Sequence, residues 1–366
     1  MINNREALVW LNYLFVQNKQ ILKLIEYFGD IKEIFSCDRK EIENSAILSE
    51  EKIDFIMSSR DEDKIKKIFK EYENFGAHII TIFDDEYPKR LSNVDDAPAV
   101  LYVKGEILPQ DELAFSIVGS RKITEYGKES CRYIASDLAQ NGITIVSGMA
   151  NGADTVAHKA ALEVGGRTIA VLGTGLNVIY PKRNEKLYHE ISQNGAVISE
   201  FPANTKGAPY NFPRRNRIVS GLGLGVLVVE AKEKSGSLIT AGVAGEQGRD
   251  VFAIPGNINS VYSRGANRLI QDGAKLVISP QDIYNEVREF EEFTDDYKSK
   301  EVSTSDLDLS DEERSIVDVL QLGEFSMDEI MDKIELDVQT TQMLITKLEL
   351  LDIVKSTAAG KYMLKL

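Results

Sequence analysis

The chain has 366 residues, 43% hydrophobic and 28% charged, enough for two or three domains with a sizeable core. Its longest apolar runs, such as Ile79–Phe83 and Gly225–Val229, are strand-length and too short to span a bilayer. The net charge of −15 argues against a nucleic-acid binder as a whole, but residues 1–96 carry −6, 97–280 carry +4 and 281–366 carry −13, so a polyanion is expected only in the middle.

No basic segment followed by an apolar stretch opens the chain, so no export signal is expected. The two cysteines, Cys37 and Cys131, lack metal-ligand spacing and read as ordinary thiols of a reducing cytoplasm.

Residues 1–75 read as a small helical module of the helix-hairpin-helix or SAM type. Leu8, Leu11 and Phe15 form one apolar set, and Ile21, Leu24, Ile25 and Phe28 another, closed by Gly29-Asp30. Such units often touch DNA backbone, but the acidic balance favours a packing or interaction role. Asp61–Phe75 reads as a charged amphipathic helix and Ala77–Phe83 as a buried strand. The stretch from Tyr87-Pro88 to Gly105, punctuated by proline, reads as an extended lead-in.

From Phe115 to Ser279, apolar strands alternate with helices. The expected strands are Phe115–Val118, Thr144–Ser147, Thr168–Leu172, Ala196–Ser199, Gly225–Glu230, Val251–Ile254 and Lys275–Ile278. Continuous Val/Ile/Leu strands joined by helices predict an α/β, doubly wound, Rossmann-like parallel sheet covered on both faces. This domain, with its lead-in, is expected over 76–285. An acidic linker without apolar period is expected over 286–310. Three helices and a two-strand wing, with a turn at 358–360, then suggest a winged helix over 311–366. The third of those helices carries one basic residue, Lys347, which favours protein contact over DNA reading.

The densest functional signal is Phe212–Gly221, where Arg214, Arg215 and Arg217 crowd together in an acidic chain. That concentration predicts a local anion site. Ligands in open parallel sheets sit outside the carboxyl ends of the strands. There the first strand ends in Gly119-Ser120-Arg121, which lacks the Gly-x-Gly-x-x-Gly of a dinucleotide site and suits a phosphate oxygen directly. Gly148 closes the second strand, Ser235-Gly236-Ser237 stands at a helix start after the fifth, and Tyr180, Tyr210 and Phe212 offer faces for stacking bases. One of the arginines is expected to pair with Glu200 or Glu230 rather than meet a ligand. Asp154 and His158, spaced i and i+4, read as a cap and an intrahelical bond before a metal or acid/base pair.

Together, Phe115-Ser-Ile-Val-Gly-Ser-Arg121, Ser147-Gly148, Ala157-His158, Tyr180-Pro181, Ser199-Glu200, Phe212-Pro-Arg-Arg-Asn-Arg217, Ser235-Gly-Ser-Leu-Ile-Thr240, Glu246-Gln-Gly-Arg249 and Ala253-Ile-Pro-Gly256 resemble the bacterial DprA/Smf family of DNA-processing proteins. The resemblance spans the central domain end to end. It implies a protein that is not an enzyme and has no cofactor or metal. Such a protein binds and protects single-stranded DNA without strong sequence preference and loads RecA recombinase during natural transformation. It also implies a cytoplasmic homodimer formed through the Rossmann-like domain, with no membrane partner, and Leu238–Val243 and Leu269-Ile270 are candidate contact strips.

Carried over residue by residue, the resemblance implies DNA contacts from Gly119, Ser120, Arg121, Gly148, Lys206, Phe212, Arg214, Arg215, Asn216, Arg217 and Ser237. Two positions depart from the family pattern. Asn177 stands where aspartate is expected, and Lys206 stands where relatives place proline, so its reach to the same phosphate is shifted. The alternative reading is a nucleotide-binding enzyme or sensor of phosphoribohydrolase type, with Glu200 or Glu230 as acid or base. A scaffold that holds protein partners through its acidic ends is a third.

Overall fold

A computed structural model of the chain describes residues 2–293, 309–351, 353–357 and 360–364. They form two compact units, one ending at Phe293 and the other lying beyond it.

The first unit begins with five helices: α1 (Asn4–Tyr13), α2 (Asn18–Phe28), α3 (Arg39–Asn44), α4 (Glu50–Ser58) and α5 (Glu62–Asn74). Local chemistry sets their ends. Asn3 and Glu6 form a reciprocal capping box on α1, Gly29 closes α2 at φ +67°, and Asp61 caps α5 by accepting from the Lys64 amide. The apolar side chains of these helices share one core with the sheet, in which Leu8, Trp10, Ile21 and Ile65 join Ile79, Tyr102, Leu172 and Tyr188. Buried Asn18 ties the two parts by polar bonds, donating to Ala97 O at 2.7 Å and accepting from the Ala99 amide at 2.8 Å.

The sheet has nine strands: β1 (His78–Thr81), β2 (Val100–Gly105), β3 (Ala114–Val118), β4 (Thr144–Ser147), β5 (Thr168–Val171), β6 (Gly195–Ser199), β7 (Gly225–Val228), β8 (Asp250–Ala253) and β9 (Lys275–Leu276). Their spatial order is β1-β2-β6-β5-β4-β3-β7-β8-β9. β3 to β9 are parallel, while β2 pairs antiparallel with both β1 and β6. The chain winds outward from β3 in one direction, then returns to β7 on its other side. That reversal leaves a crevice beyond the carboxyl ends of β3 and β7.

Between β1 and β2 lies α6 (Lys89–Ser92). The crossovers are α7 (Glu125–Gln140), α8 (Ala153–Glu163), α9 (Glu185–Gln193), α10 (Asn211–Leu222), α11 (Gly236–Glu246) and α12 (Arg264–Gln271), followed by α13 (Pro280–Tyr284). Ile218 and Val219 of α10 and Ala241 and Ala244 of α11 cover one sheet face over Val118, Val146, Val226 and Val228. α7 and α8 pack together against β3 and β4 on the other. With both faces covered, β3 to β7 are buried along their whole length, which is why they read as continuous apolar runs. The α/β class and the doubly wound sheet are as expected.

Two differences from the expected layout have physical causes. The lead-in contains a full strand, β2, because Val100–Val103 slots between β1 and β6. Its prolines lie before the strand, where no ladder amide is lost. The body also extends past residue 285, since acidic residues 286–293 carry Val287 and Phe290 into the core. The Phe290 ring lies 6.2 Å from both Phe115 and Tyr284. Of the expected linker, 294–308 lies outside the described residues, as does the turn at 358–359.

The second unit comprises α14 (Asp311–Gln321), α15 (Met327–Ile334), α16 (Val338–Leu350) and an antiparallel ladder of β10 (Val354–Ser356) and β11 (Tyr362–Leu364). Ile316, Val317, Leu320, Ile330, Leu344, Ile345, Leu348 and Val354 form its core. Capping boxes at Ser310/Glu313 and Ser326/Glu329 start the first two helices.

Candidate nucleic-acid interface

The crevice beyond β3 and β7 has a volume of about 640 Å³ and is lined from four strand ends. Val118 ends β3 and Gly119 to Lys122 follow it, Gly148, Ala150 and Asp154 follow β4, Gly207, Pro209, Phe212, Pro213, Arg215 and Asn216 precede and begin α10, and Lys232 and Lys234 to Ser237 follow β7. Tyr180 completes the rim.

Close approach dictates the glycines. A Cβ on Gly119 would stand 2.8 Å from that of Ala153, and one on Gly152, at φ +83°, would stand 2.1 Å from Ser120 O. The Ala153 amide donates to that same oxygen at 3.1 Å, so the start of α8 holds the Ser120 loop in place. Ser120 turns its hydroxyl inward, donating to Lys122 O at 3.0 Å and accepting from the Lys122 amide at 3.1 Å. Arg121 and Lys122 are thereby presented outward, with the Arg121 guanidinium 5.6 Å from the centre of the Phe212 ring. Phe212 in turn lies 5.5 Å from Tyr180, and half of Tyr180 is exposed.

The arginine cluster divides by role. Arg214 donates to Glu200 Oε2 at 2.9 Å and lies over Phe201. Arg217 donates to both oxygens of Glu200, at 2.8 and 2.9 Å, and through Nε to Asp96 Oδ2 at 3.1 Å. Two arginines therefore pair with Glu200, where one pairing was expected, and neither lines the crevice.

Arg215 is only 4% exposed and forms the crevice floor, donating to the carbonyl oxygens of Gly148, at 2.6 Å, and Val171. Burial lowers its pKa to about 10, with the nearby Asp154 opposing that shift. The three arginines thus brace the crevice, Arg214 and Arg217 through carboxylates and Arg215 through strand-end carbonyls, and of the three Arg215 lines it. A buried guanidinium is stable only when partnered, and here carboxylates and strand-end carbonyls are the partners.

The other expected residues fall in three positions. Asn216 lines the crevice and bridges α10 to α11, accepting from Arg215 Nε at 3.3 Å and donating to Gly236 O at 3.5 Å. Ser237 also lines it, with its hydroxyl 2.7 Å from that of Ser235, the cap of α11. Gly148 borders the floor, since a Cβ there would meet the Arg215 guanidinium at 2.5 Å. Lys206 is exposed on the loop before α10 and is not among the lining residues, and neither is Tyr210.

Lys232 and Lys234, which the sequence reading did not single out, stand on the crevice rim with Lys122. Lys232 lies 4.8 Å from the centre of the Tyr262 ring. Among the described residues, Arg121, Lys122, Lys232 and Lys234 make no ion pair with a carboxylate. Their signal in the sequence was position: Lys-Glu-Lys follows directly on the end of a strand.

The acidic groups have structural partners. Asp154 accepts from the Gly148 and Ala150 amides at 3.2 Å each, and burial pushes its carboxyl pKa up against the pull of Arg215. His158 faces Thr168, with its Nδ1 2.7 Å from Thr168 Oγ1, and burial lowers its pKa to about 3. The two do not bond to each other, and Asp154 closes the preceding loop rather than capping the turn ahead of it. Glu230 accepts from the Thr124 amide at 2.9 Å and hydroxyl at 2.6 Å, fixing the start of α7. Glu200 and Glu230 are both 2% exposed and lie outside the crevice lining. Among the described residues, no group of three or more His, Cys, Asp or Glu could hold a metal ion.

Comparison with known proteins agrees with this arrangement. The family model for DNA recombination-mediator protein A matches residues 78–288. DNA processing protein DprA of Streptococcus pneumoniae is 43% identical over 281 residues, 74% of this chain and 93% of that protein. Its X-ray structure superposes with a TM-score of 0.70 at 39% identity, covering 79% of this chain and 99% of that one. A structure of DNA processing protein A from Helicobacter pylori, described for its single-stranded DNA binding mode, gives a TM-score of 0.52 at 34% identity. It covers 57% of this chain and 94% of that one. The matched stretch spans the nine-stranded sheet, and the chain belongs to the DNA recombination-mediator protein A family.

Proposed function

We propose that the crevice binds single-stranded DNA and that the chain passes the bound strand to a RecA-type recombinase, acting by binding rather than by catalysis. The observation that carries this reading is the convergence of Arg121, Lys122, Lys232 and Lys234 on one crevice with the Tyr180–Phe212 ring pair. Cations for phosphates beside aromatic faces for bases form a strand platform, and stacking of this kind tolerates any base. The buried arginines hold that platform rigid, with Glu200 consumed by Arg214 and Arg217. Glu230 is likewise committed to Thr124, so neither glutamate that the enzyme reading invoked is free or lines the crevice.

The relatives named above are DNA-processing proteins, and the family carries the description of a recombination mediator. A homodimer formed through the α/β unit fits the half-exposed Ile239 of α11. A gel shift of oligo-dT against a duplex of equal length tests the reading, and preferential retention of the single strand is expected. With four cations at phosphates, the logarithm of affinity should fall with the logarithm of salt at a slope of about −3. Binding indifferent to salt, or equal retention of duplex, overturns it. Loading is tested separately, by whether this chain relieves a single-strand-binding protein's block on RecA filament growth.

A further inference from the structure

We propose that the outward face of α16 docks a basic amphipathic helix of a partner protein. The second unit lies beyond the stretch matched by the family model, so the crevice and its strand do not account for it. α16 divides cleanly. Thr341, Leu344, Ile345 and Leu348 are buried in the unit's core, whereas Val338, Met343 and Leu350 on its other side are 59%, 63% and 83% exposed. With Gln339, Gln342, Thr346 and Lys347 these line a shallow groove of about 630 Å³. Thirteen residues of α helix span about 20 Å, enough to receive three apolar positions of a facing helix over three turns. An unbranched thioether such as Met343 adapts to side chains of varied shape.

Charge selects the occupant. Lys347, the one cation of α16, is tied to buried Glu313 with Nζ 2.6 Å from Oε1, so the face offers no unpaired cation to a phosphate. From residue 309 to the end the sequence holds twelve Asp and Glu against six Lys and Arg, with Glu335 and Asp337 at the entry of α16 and Glu349 near its exit. Such surroundings repel nucleic acid and a second copy of the same acidic unit, and they attract a helix whose apolar stripe is flanked by lysine or arginine. An apolar stripe in an acidic frame fits that partner class and explains why the helix in this position lacks the basic residues of a DNA reader.

The test uses the full chain and a fluorescent 14-residue amphipathic helix built from Leu and Lys, with a Leu/Glu peptide of the same apolar pattern as control. In physiological salt the Lys peptide should bind saturably at one per chain, and the Glu peptide at least tenfold more weakly. Met343→Ser/Leu350→Ser should weaken the Lys peptide at least tenfold without moving the unfolding midpoint, since both side chains are exposed. A benzophenone on the peptide should attach within residues 338–350, a readout independent of how that variant folds. Four results overturn the proposal: unchanged affinity in the double variant, equal binding of the Glu peptide, attachment elsewhere, and a concentration-dependent mass or duplex-DNA retention that the double variant abolishes. The last would give the face to a second copy or to nucleic acid.

Discussion

Arg217 grips Glu200 through two parallel N–H···O bonds, at 2.8 and 2.9 Å, with both side chains buried. The pair joins the end of β6 to α10 and, through Asp96, to the segment before β2. Arg217→Ala removes two of the three side-chain bonds to the buried Glu200 carboxylate, leaving that from Arg214, and should cost about 1–3 kcal/mol of stability. Replacing both partners, as Arg217→Met/Glu200→Leu, should cost much less. Urea denaturation of the three proteins checks the order.

Arg121→Ala should do the opposite. Its guanidinium is exposed and makes no ion pair among the described residues, so the urea midpoint should stay within experimental error. Affinity for oligo-dT should fall by about 1–3 kcal/mol through loss of a charge-assisted contact. Removing Lys232 and Lys234 together should make the salt slope shallower by about 1.4. Fluorescence anisotropy across a salt series measures both effects.

Gly152→Ala probes the loop from behind. The new Cβ would fall 2.1 Å from Ser120 O in a backbone conformation, φ +83°, that L side chains rarely adopt. The clash is with backbone and cannot be relieved by a rotamer change, so Ser120 and Arg121 must move. Stability should drop by about 1–3 kcal/mol, and binding of oligo-dT should weaken although no DNA-facing side chain has been altered. A variant that retains full affinity would separate the loop from the binding site.

His158 predicts an acid limb of the stability curve. Burial favours its neutral form and places its folded pKa at about 3, below the ordinary value of 6.5. Between these values the unfolded chain binds the proton and the folded chain does not, so stability is fully present above about pH 6.5 and declines as pH falls toward 3. This one group should remove about 2 kcal/mol by pH 5. His158→Gln should flatten the decline between pH 6.5 and 5, as read from urea midpoints at each pH.

Much of the fold was legible because burial on both faces leaves a local signature. Phe115–Val118, Thr144–Ser147 and Gly225–Val228 are apolar without alternation, and each proved a central strand. The lead-in was harder to read, since Pro98 just before Val100–Gly105 suggested a connector, and only the antiparallel partners on either side make that run a strand. The place of Gly119-Ser120-Arg121 was legible because it closes the first strand of a wound sheet, and the structure sets it on the crevice.

The sequence by itself determined that the middle of the chain is basic, that it builds a wound parallel sheet, and that cations and aromatics gather at the strand ends. Only the tertiary structure decided which cations face solvent. Arg214, Arg215 and Arg217 are neighbours of Phe212 along the chain, yet they turn to Glu200, to Gly148 and Val171, and to Asp96, as many as 121 positions away. Lys232 and Lys234, diluted by an intervening glutamate, are brought opposite Arg121 by the reversal between β3 and β7. The physical reason is that a buried charge must find a partner wherever the fold supplies one, and that supply is set by long-range packing rather than by local sequence.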